Sequence, residues 1–398
     1  MDKETIILAY SGGLDTSVCV RWLQEHHNAK VITLTADLGM VNLENVKSKA
    51  LQIGATEALV IDGRKEFVEN FVLPALKAGA IYEERYPLAT ALGRPLIAKY
   101  MTEAAIKFGA TSLAHGCTGK GNDQVRMDVS VGALAPDLKV IAPVREWGWS
   151  RDEEIEYALQ HNIPVEVKKS RFSVDENLWG RSVEAGELED PWEEPPEEAY
   201  AWTQPITRTP DDPVYIEIGF VKGTPTSING EDMTALDMID HLNSIAGEHG
   251  IGRIDHIENR LVGIKSREVY EAPAGLTLFT AHKALESLTL SKHQSRMKQL
   301  IAQEYADLVY NGLWYSAHRR DMDAYVESTQ QNVTGSVRVK LHKGNCIIVG
   351  RKSPRALYSH ALATYERGDT FDHRASEGFI AIYGLPIRTE TRNRKGEE

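Results

Sequence analysis

A glycine-rich turn close to residue 10 constrains the fold more than any other feature of the sequence. The apolar, β-branched run at residues 5–10 predicts a β-strand, and the helical spacing of apolar residues within 16–25 predicts an α-helix. The turn between them reads SGGLDTS. Adjacent glycines let the backbone turn tightly and approach a ligand, and the N–H groups at the start of the helix are free to bind an anion. The sequence therefore predicts a βα unit that binds phosphate.

This turn differs from the two common phosphate-binding motifs, and other interpretations remain open. It has no lysine to close a Walker A loop, and it lacks the G-x-G-x-x-G spacing of a dinucleotide-binding fold. One alternative is an ordinary glycine turn capped by Thr16 or Ser17. Another is a hydrolase elbow with Ser11 as nucleophile and Ala9 in place of the usual glycine. Few residues precede Ser11, which disfavours the hydrolase because its oxyanion hole needs an earlier strand loop.

Short apolar runs alternate with helical patterns through the first part of the chain. The predicted strands that follow the first one lie at residues 31–37, 58–62, 112–115 and 139–142. Further helices are predicted at residues 43–53, at 93–108 and from Ser150, where Glu153 completes a capping box. This alternation predicts an α/β fold with a parallel sheet covered by helices on both faces. We assign residues 1–165 to a nucleotide-binding domain.

The second part of the chain has a mixed α+β pattern. Residues 184–198 are rich in acidic residues and proline, which predicts a surface loop or linker. The other predicted elements are strands at 214–220 and 253–264, one long helix at 282–310, and a hairpin formed by 333–341 and 345–351. We predict a synthetase domain at 166–360, followed by an oligomerisation helix and a tail at 361–398. Residues 390–398 of that tail are highly charged and expected to be mobile unless a neighbouring subunit holds them.

Composition argues against several classes of protein. There are 45 Lys and Arg against 57 Asp and Glu, and the formal charge of −12 disfavours nucleic-acid binding. No apolar run reaches the roughly 20 residues that span a bilayer, and no signal sequence is recognisable at the N-terminus. The three cysteines, Cys19, Cys117 and Cys346, are too far apart for a disulfide framework or a zinc ribbon. A cytoplasmic enzyme without membrane contact is expected.

A second glycine-rich string, HGCTGKGNDQVR, occupies residues 115–126 after another predicted strand. Its polar side chains suit an amino acid zwitterion, because arginine binds a carboxylate in two places and aspartate accepts hydrogen bonds from an ammonium group. The residues that provide these groups are Thr118, Asn122, Asp123 and Arg126. A polar turn without a ligand is the simpler alternative. Dense and varied polar groups in a glycine-rich loop favour a binding site.

The two glycine-rich strings carry a family resemblance. SGGLDTS resembles the pyrophosphate loop of the ATP pyrophosphatases of the adenine nucleotide alpha-hydrolase type, which adenylate an oxygen and release pyrophosphate. The second string is similar to a segment of the argininosuccinate synthase family. The same family has similar segments, in the same order, at residues 85–88, 135–137, 173–179, 184–186, 252–255, 258–260 and 270–275. The resemblance covers residues 5 to 360.

The resemblance implies a ligase of arginine biosynthesis. Its substrates would be ATP, L-citrulline and L-aspartate, with Mg²⁺ as cofactor, and its product argininosuccinate would form through citrullyl-adenylate with release of pyrophosphate and AMP. It also implies a homotetramer. No protein nucleophile is needed, because the substrate forms its own activated intermediate.

Matching positions in the family imply the roles of individual residues. The ATP contacts would be Ala9, Tyr10, Ser11, Gly12, Gly13, Leu14, Asp15, Thr16, Ser17, Ala36 and Gly116. The aspartate site would contain Thr118, Asn122 and Asp123. The citrulline site would contain Tyr86, Asn122, Arg126, Ser173, Ser182, Glu258 and Tyr270. Asp15, Asp123 and Arg126 are the catalytic candidates, and no metal ligand is assigned.

Two positions depart from the family pattern. Ala91 stands where serine is frequent, so that one citrulline hydrogen bond would be either missing or supplied by Thr90, and Met40 stands where glutamine is usual. Two other classes share the phosphate loop: an adenylating enzyme that modifies RNA and a nucleotide-binding module without catalysis. The acidic charge disfavours the first, and the zwitterion-matching string disfavours the second.

Overall fold

The computed structural model describes residues 3–39, 43–164 and 171–396. Met40 lies outside the described residues, as do 165–170 and the last two residues of the tail. Contacts divide the chain into two compact units, Met1–Arg355 and Ala356–Glu398. The described residues contain no helix that combines the length and the apolarity needed to cross a bilayer.

A five-stranded parallel sheet forms the centre of the first part of the chain. Its strands are β1 (Thr5–Ala9), β2 (Lys30–Asp37), β3 (Glu57–Asp62), β4 (Ser112–Ala114) and β5 (Lys139–Ile141). Their order in the sheet is β3-β2-β1-β4-β5, and every neighbouring pair is parallel. The order reverses between β1 and β4, and such a reversal opens a crevice at the carboxyl ends of the two strands. The predicted α/β fold with a parallel sheet is confirmed.

Helices supply the apolar surfaces on both faces of this sheet. They are α1 (Leu14–His26), α2 (Leu43–Ile53), α3 (Arg64–Phe67), α4 (Leu73–Ala78), α5 (Ala89–Phe108), α6 (Asp123–Leu134), α7 (Pro143–Trp147) and α8 (Arg151–Gln160). Ile6 and Leu8 of β1 pack in the same apolar cluster as Val18 of α1, whereas Ile7 packs in a different cluster on the other face. Burial on both faces explains why β1 is a continuous apolar run.

Two antiparallel sheets follow. Their strands are β6 (Ser173–Asn177), β7 (Gly180–Glu184), β8 (Val214–Val221), β9 (Thr224–Ile228), β10 (Glu231–Asp232), β11 (Arg253–Asn259), β12 (Lys265–Glu271), β13 (Gly335–His342) and β14 (Asn345–Lys352). One sheet has the order β10-β9-β8-β13-β14 and the other β11-β12-β7-β6. Strands β13 and β14 form the predicted hairpin, which is confirmed.

The helices of this part are α9 (Ala235–Glu248), α10 (Pro273–Thr289), α11 (Lys292–Tyr310) and α12 (Ala317–Gln330). The single helix predicted at 282–310 is therefore wrong. The hydroxyl of Ser291 accepts a hydrogen bond from the N–H of Gln294, and the Gln294 side chain accepts one from the N–H of Ser291. This capping box starts a new helix and separates α10 from α11.

One further prediction needs correction, and another is resolved. The strand predicted at 253–264 ends at Asn259, and a tight turn leads into β12, which the sequence did not reveal. The acid-rich segment at 184–198 is a surface loop, which is one of the two predicted alternatives. Its Leu188 packs with Val183 and Val269 in a small apolar cluster, while Trp192 is 92% exposed.

The second unit contains α13 (His360–Ala363), α14 (Ala375–Tyr383) and α15 (Leu385–Lys395). Residues 390–395 of the charged tail belong to α15, and whether a neighbouring subunit holds them stays a prediction. None of the side chains in these three helices is buried.

Candidate active site

A cavity of about 800 Å³ opens at the carboxyl ends of β1 and β4. Most of the residues that the sequence nominated line it. They are Ala9, Tyr10, Ser11, Gly13, Leu14, Asp15, Thr16, Ala36, Tyr86, Gly116, Thr118, Asn122, Asp123, Arg126, Ser173, Ser182, Glu258 and Tyr270. Gly12 and Ser17 lie outside this lining. The antiparallel sheet β11-β12-β7-β6 supplies the wall that carries Ser173, Ser182, Glu258 and Tyr270.

The SGGLDTS turn is held by its own hydroxyl groups. The Oγ of Ser11 accepts a hydrogen bond from the N–H of Gly13 at 3.3 Å and lies 3.2 Å from Oγ1 of Thr16. Ser17 is fully buried, and its hydroxyl lies 3.2 Å from the Tyr10 hydroxyl, behind the turn. Within the described residues, Ser11 is thus bonded to its own loop and not to a histidine, which argues against the hydrolase alternative.

The two glycine-rich strings are in direct contact. A Cβ atom added to Gly116 would lie 2.9 Å from Cγ2 of Thr16, so only glycine allows this approach. His115 precedes Gly116 in the chain. Its Nε2 lies 2.7 Å from a carboxylate oxygen of Asp128, and its Nδ1 accepts a hydrogen bond from the N–H of Cys117. These contacts fix the start of the second loop against the first.

Cys117 faces the cavity as a neutral thiol. Burial raises the pKa of Cys117 to about 12, and the neighbouring Asp123 carboxylate adds to the increase. Because the thiolate is the reactive form of cysteine, this residue is not suited to act as a nucleophile.

Asp123 is held between two arginines. Arg94 donates from Nε to one carboxylate oxygen at 2.9 Å, and Arg126 donates from Nη1 to the other at 2.8 Å. Burial opposes the ionisation of Asp123, but the charges of Arg94 and then Arg126 outweigh it and lower the pKa of Asp123. Arg94 also pairs with Asp175 at 2.6 Å. Sequence reasoning missed Arg94 because it is one of several charged residues in a largely apolar helix.

Arg126 is 4% exposed and lines the cavity. Its Nε donates to the carbonyl oxygen of Tyr310 at 2.8 Å. Its Nη2 is buried and has no hydrogen-bond partner among the described residues. A buried guanidinium N–H without a partner is costly, and an anionic ligand in the cavity would satisfy it.

Aromatic residues surround Glu258 beside this arginine. The Tyr270 hydroxyl donates to one carboxylate oxygen of Glu258 at 2.6 Å, and the Tyr310 hydroxyl donates to the other at 2.5 Å. The ring of Tyr86 stacks on that of Tyr270 with centroids 4.0 Å apart. Thr90 lines the cavity and donates its N–H to the Tyr86 hydroxyl, whereas Ala91 is buried in the core.

A second charged cluster on the same sheet was not anticipated. Arg260 donates to Glu184 and Glu268, and all three line the cavity. Burial, together with the charges of Glu184 and Glu258, raises the pKa of Glu268 to about 9. Glu268 lies two positions before Tyr270 on β12 and therefore faces the same side, but the sequence carries no signal for this residue because the strand itself was not predicted. The described residues contain no group of three or more His, Cys, Asp or Glu side chains placed to hold a metal ion.

Comparisons with known proteins cover almost the whole chain. The model described as the Arginosuccinate synthase N-terminal HUP domain matches residues 5–164, and the Arginosuccinate synthase C-terminal domain matches residues 172–390. The protein named argininosuccinate synthase from Trichodesmium erythraeum is 57% identical over 394 residues, 98% of each chain. That from Brevibacillus brevis is 55% identical over 398 residues, 100% of this chain and 95% of that protein. That from Dehalococcoides mccartyi strain 195 is 55% identical over 390 residues, 98% of this chain and 96% of that protein.

Proposed function

This chain belongs to the argininosuccinate synthase family, and on that premise we propose that its cavity binds ATP, L-citrulline and L-aspartate and joins the two amino acids. One observation carries the proposal most directly. The phosphate-type loop after β1 touches the zwitterion-type loop after β4, because Gly116 has no side chain to push Thr16 away. A nucleotide and an amino acid bound to these loops would lie side by side.

The first step is the attack of the citrulline ureido oxygen on the α-phosphorus of ATP, with departure of pyrophosphate. The N–H groups at the start of α1 and the Ser11 and Thr16 hydroxyls are suited to hold the phosphates, and the small side chain of Ala36 leaves room for adenine. Arg126 would bind the citrulline carboxylate through its unpaired Nη2, and Glu258 would accept from the ammonium group. Orientation of two reactants is worth roughly 7–11 kcal/mol of barrier.

The second step is the attack of the aspartate α-amine on the ureido carbon, with departure of AMP. Thr118, Asn122 and Asp123 lie on the loop next to the phosphate loop and would hold aspartate there. Asp123 is ionised and is held by Arg94 and Arg126, which gives it a fixed direction from which to accept hydrogen bonds. We propose no covalent enzyme intermediate, since Cys117 is a neutral thiol and the described residues place no base against Ser11.

Mg²⁺ fits the site as a partner of the nucleotide. Magnesium is usually held by one or two carboxylates together with substrate phosphates, and Asp15 places a carboxylate at the mouth of the phosphate loop, where it pairs with Arg151 at 2.9 Å. Asp15 would help to hold the ion, which would neutralise charge on the departing pyrophosphate.

We assign the nucleotide site to residues 1–165, completion of the citrulline site to 166–360 and oligomerisation to 361–398. We also propose a cytoplasmic enzyme that acts on small molecules rather than on nucleic acid or membranes. The three free cysteines suit a reducing compartment, and the charge of −12 is unfavourable for phosphate backbones.

The assay that tests this function measures pyrophosphate and AMP after incubation with ATP and Mg²⁺. Citrulline alone is expected to release up to one pyrophosphate per site, and citrulline with aspartate is expected to support continuous release of both products. Chelation of Mg²⁺ should stop the reaction and added Mg²⁺ should restore it. Absence of any citrulline-dependent pyrophosphate would rule out the proposed function.

A homotetramer is supported by the second unit, Ala356–Glu398. Its apolar side chains are exposed, including Tyr365, Phe379, Ile382 and Ile387, and an exposed apolar surface of this extent is typical of an interface. We expect a solution mass of four chains by light scattering. The double substitution Phe379→Glu with Ile382→Glu should lower that mass, whereas Ile106→Glu, at a site as exposed as Ile382, should not. A single-chain mass for the unsubstituted protein would contradict the proposal.

A further inference from the structure

Tyr310, the last residue of α11, is completely buried and lies behind the cavity wall. It does not line the cavity itself. It nevertheless contacts Asn122, Arg126 and Glu258, three lining residues that belong to the proposed citrulline site. These three residues come from two distant parts of the sequence, and Tyr310 is contributed by a third.

The hydroxyl of Tyr310 links Asn122 to Glu258. It donates to Oε1 of Glu258 at 2.5 Å and accepts from Nδ2 of Asn122 at 2.8 Å. Because a phenol has a single O–H to donate, the bond to Glu258 commits that proton and leaves the oxygen to accept from Asn122. The Oδ1 of Asn122 accepts in turn from the N–H of Leu261, which fixes the orientation of the amide.

The backbone and ring of Tyr310 hold Arg126. The carbonyl oxygen accepts from Nε of Arg126 at 2.8 Å, and the guanidinium lies 4.8 Å from the ring centroid. The ring of Tyr310 also stacks on the ring of Tyr82. The two rings are nearly parallel, with centroids 3.6 Å apart. With Nε and Nη1 engaged, the unpaired Nη2 of Arg126 has a defined direction.

Gly312 allows the end of α11 to approach Arg126 this closely. Its φ is +77°, and an added Cβ would lie 2.8 Å from Cα of Arg126. A side chain at this position would push the two segments apart. The close approach is thus built into the sequence two residues after Tyr310.

We propose that Tyr310 is a positioning residue that sets the geometry of Glu258, Asn122 and Arg126 and thereby determines the affinity for the amino acid end of citrulline. The inference rests on the proposed function and goes beyond it, because Tyr310 touches no substrate and acts through the three residues that would. Helix α11 therefore belongs functionally to the site although it contributes no lining residue.

The test compares Tyr310→Phe with Tyr305→Phe. Both tyrosines are on α11 and fully buried, and both donate from the hydroxyl to a carboxylate, which for Tyr305 is Asp323, away from the cavity. Tyr310→Phe keeps the stacked ring and the backbone carbonyl and loses the two hydroxyl hydrogen bonds. The KM for citrulline should rise by about 10- to 100-fold, the range expected for lost bonds to charged groups. The KM for ATP should change by less than about twofold. Tyr305→Phe should leave both values unchanged.

A second measurement does not depend on activity or yield. Citrulline should raise the Tm of the unsubstituted protein and of Tyr305→Phe, and this increase should be much smaller in Tyr310→Phe. Equal kinetics and equal Tm increases in the two variants would overturn the inference, as would a parallel rise of the KM for ATP. An unsubstituted protein without citrulline-dependent pyrophosphate release would instead refute the proposed function itself.

Discussion

Arg126→Lys is expected to lower kcat/KM for citrulline by about 100-fold or more. Lysine keeps the positive charge but cannot reach Asp123, the Tyr310 carbonyl and a substrate carboxylate at once, as the planar guanidinium can. Disrupting a buried charged pair costs about 3 kcal/mol or more, which corresponds to a factor of about 100. Steady-state kinetics with citrulline as the varied substrate measures this loss.

The matched control is Arg267→Lys. Arg267 also has a nearly buried side chain and a bidentate pair, with Asp255 at 2.8 and 2.7 Å, but it is absent from the cavity lining. Its replacement should reduce stability without changing the KM for citrulline. If both variants impaired citrulline use to the same extent, the effect at Arg126 would be one of folding rather than of binding.

Asp123→Ala is expected to slow the aspartate-dependent release of AMP by about 100- to 1,000-fold. The substitution removes the proposed partner of the aspartate ammonium and leaves Arg94 and Arg126 without the carboxylate that they share. An uncompensated buried charge costs about 3–5 kcal/mol. The citrulline-dependent burst of pyrophosphate should fall less, by about tenfold, because Arg126 loses one contact but keeps its bond to Tyr310.

Rapid-quench measurements of pyrophosphate and AMP in single turnovers separate the two steps. Asp255→Ala is the control, since it deprives Arg267 of its carboxylate partner without touching the cavity. It should leave both steps at the unsubstituted rate. A loss of equal size in the pyrophosphate burst and in AMP release would show that Asp123 has a structural role and no preference for the aspartate step.

The sequence was informative wherever chemistry is concentrated in one short segment. The two glycine-rich loops combine backbone freedom with several polar groups, and each could be interpreted without knowing what lies beside it. Their neighbours in the sheet could not be inferred in this way. That β1 pairs with β4, and that β7 and β12 place Ser182 next to Tyr270, depends on hydrogen bonds between residues far apart in the chain.

The missed site residues share one property: each lies outside the two glycine-rich loops, in a helix or strand whose pattern does not single it out. Arg94 lies in a buried helix, Glu268 is one residue on a short strand, and Tyr310 closes a helix that reads as a surface element. The capping box at Ser291 was a local signal that was present in the sequence. It was hidden because apolar residues continue on both sides of it, so the periodicity suggested one uninterrupted helix.

The contact between Gly116 and Thr16 has an evolutionary consequence. Enzymes often acquire new substrates by altering one recognition loop while the nucleotide loop stays the same. Here the loop that would select the amino acid touches the loop that would hold the phosphates, where the Thr16 side chain packs against Gly116. A side chain at Gly116 would displace Thr16, so a substitution at this position would disturb the phosphate loop as well, whereas a Cβ at Gly119 or Gly121 would not meet that loop. A substitution at Gly116 would therefore change the binding of the amino acid and of the nucleotide at the same time.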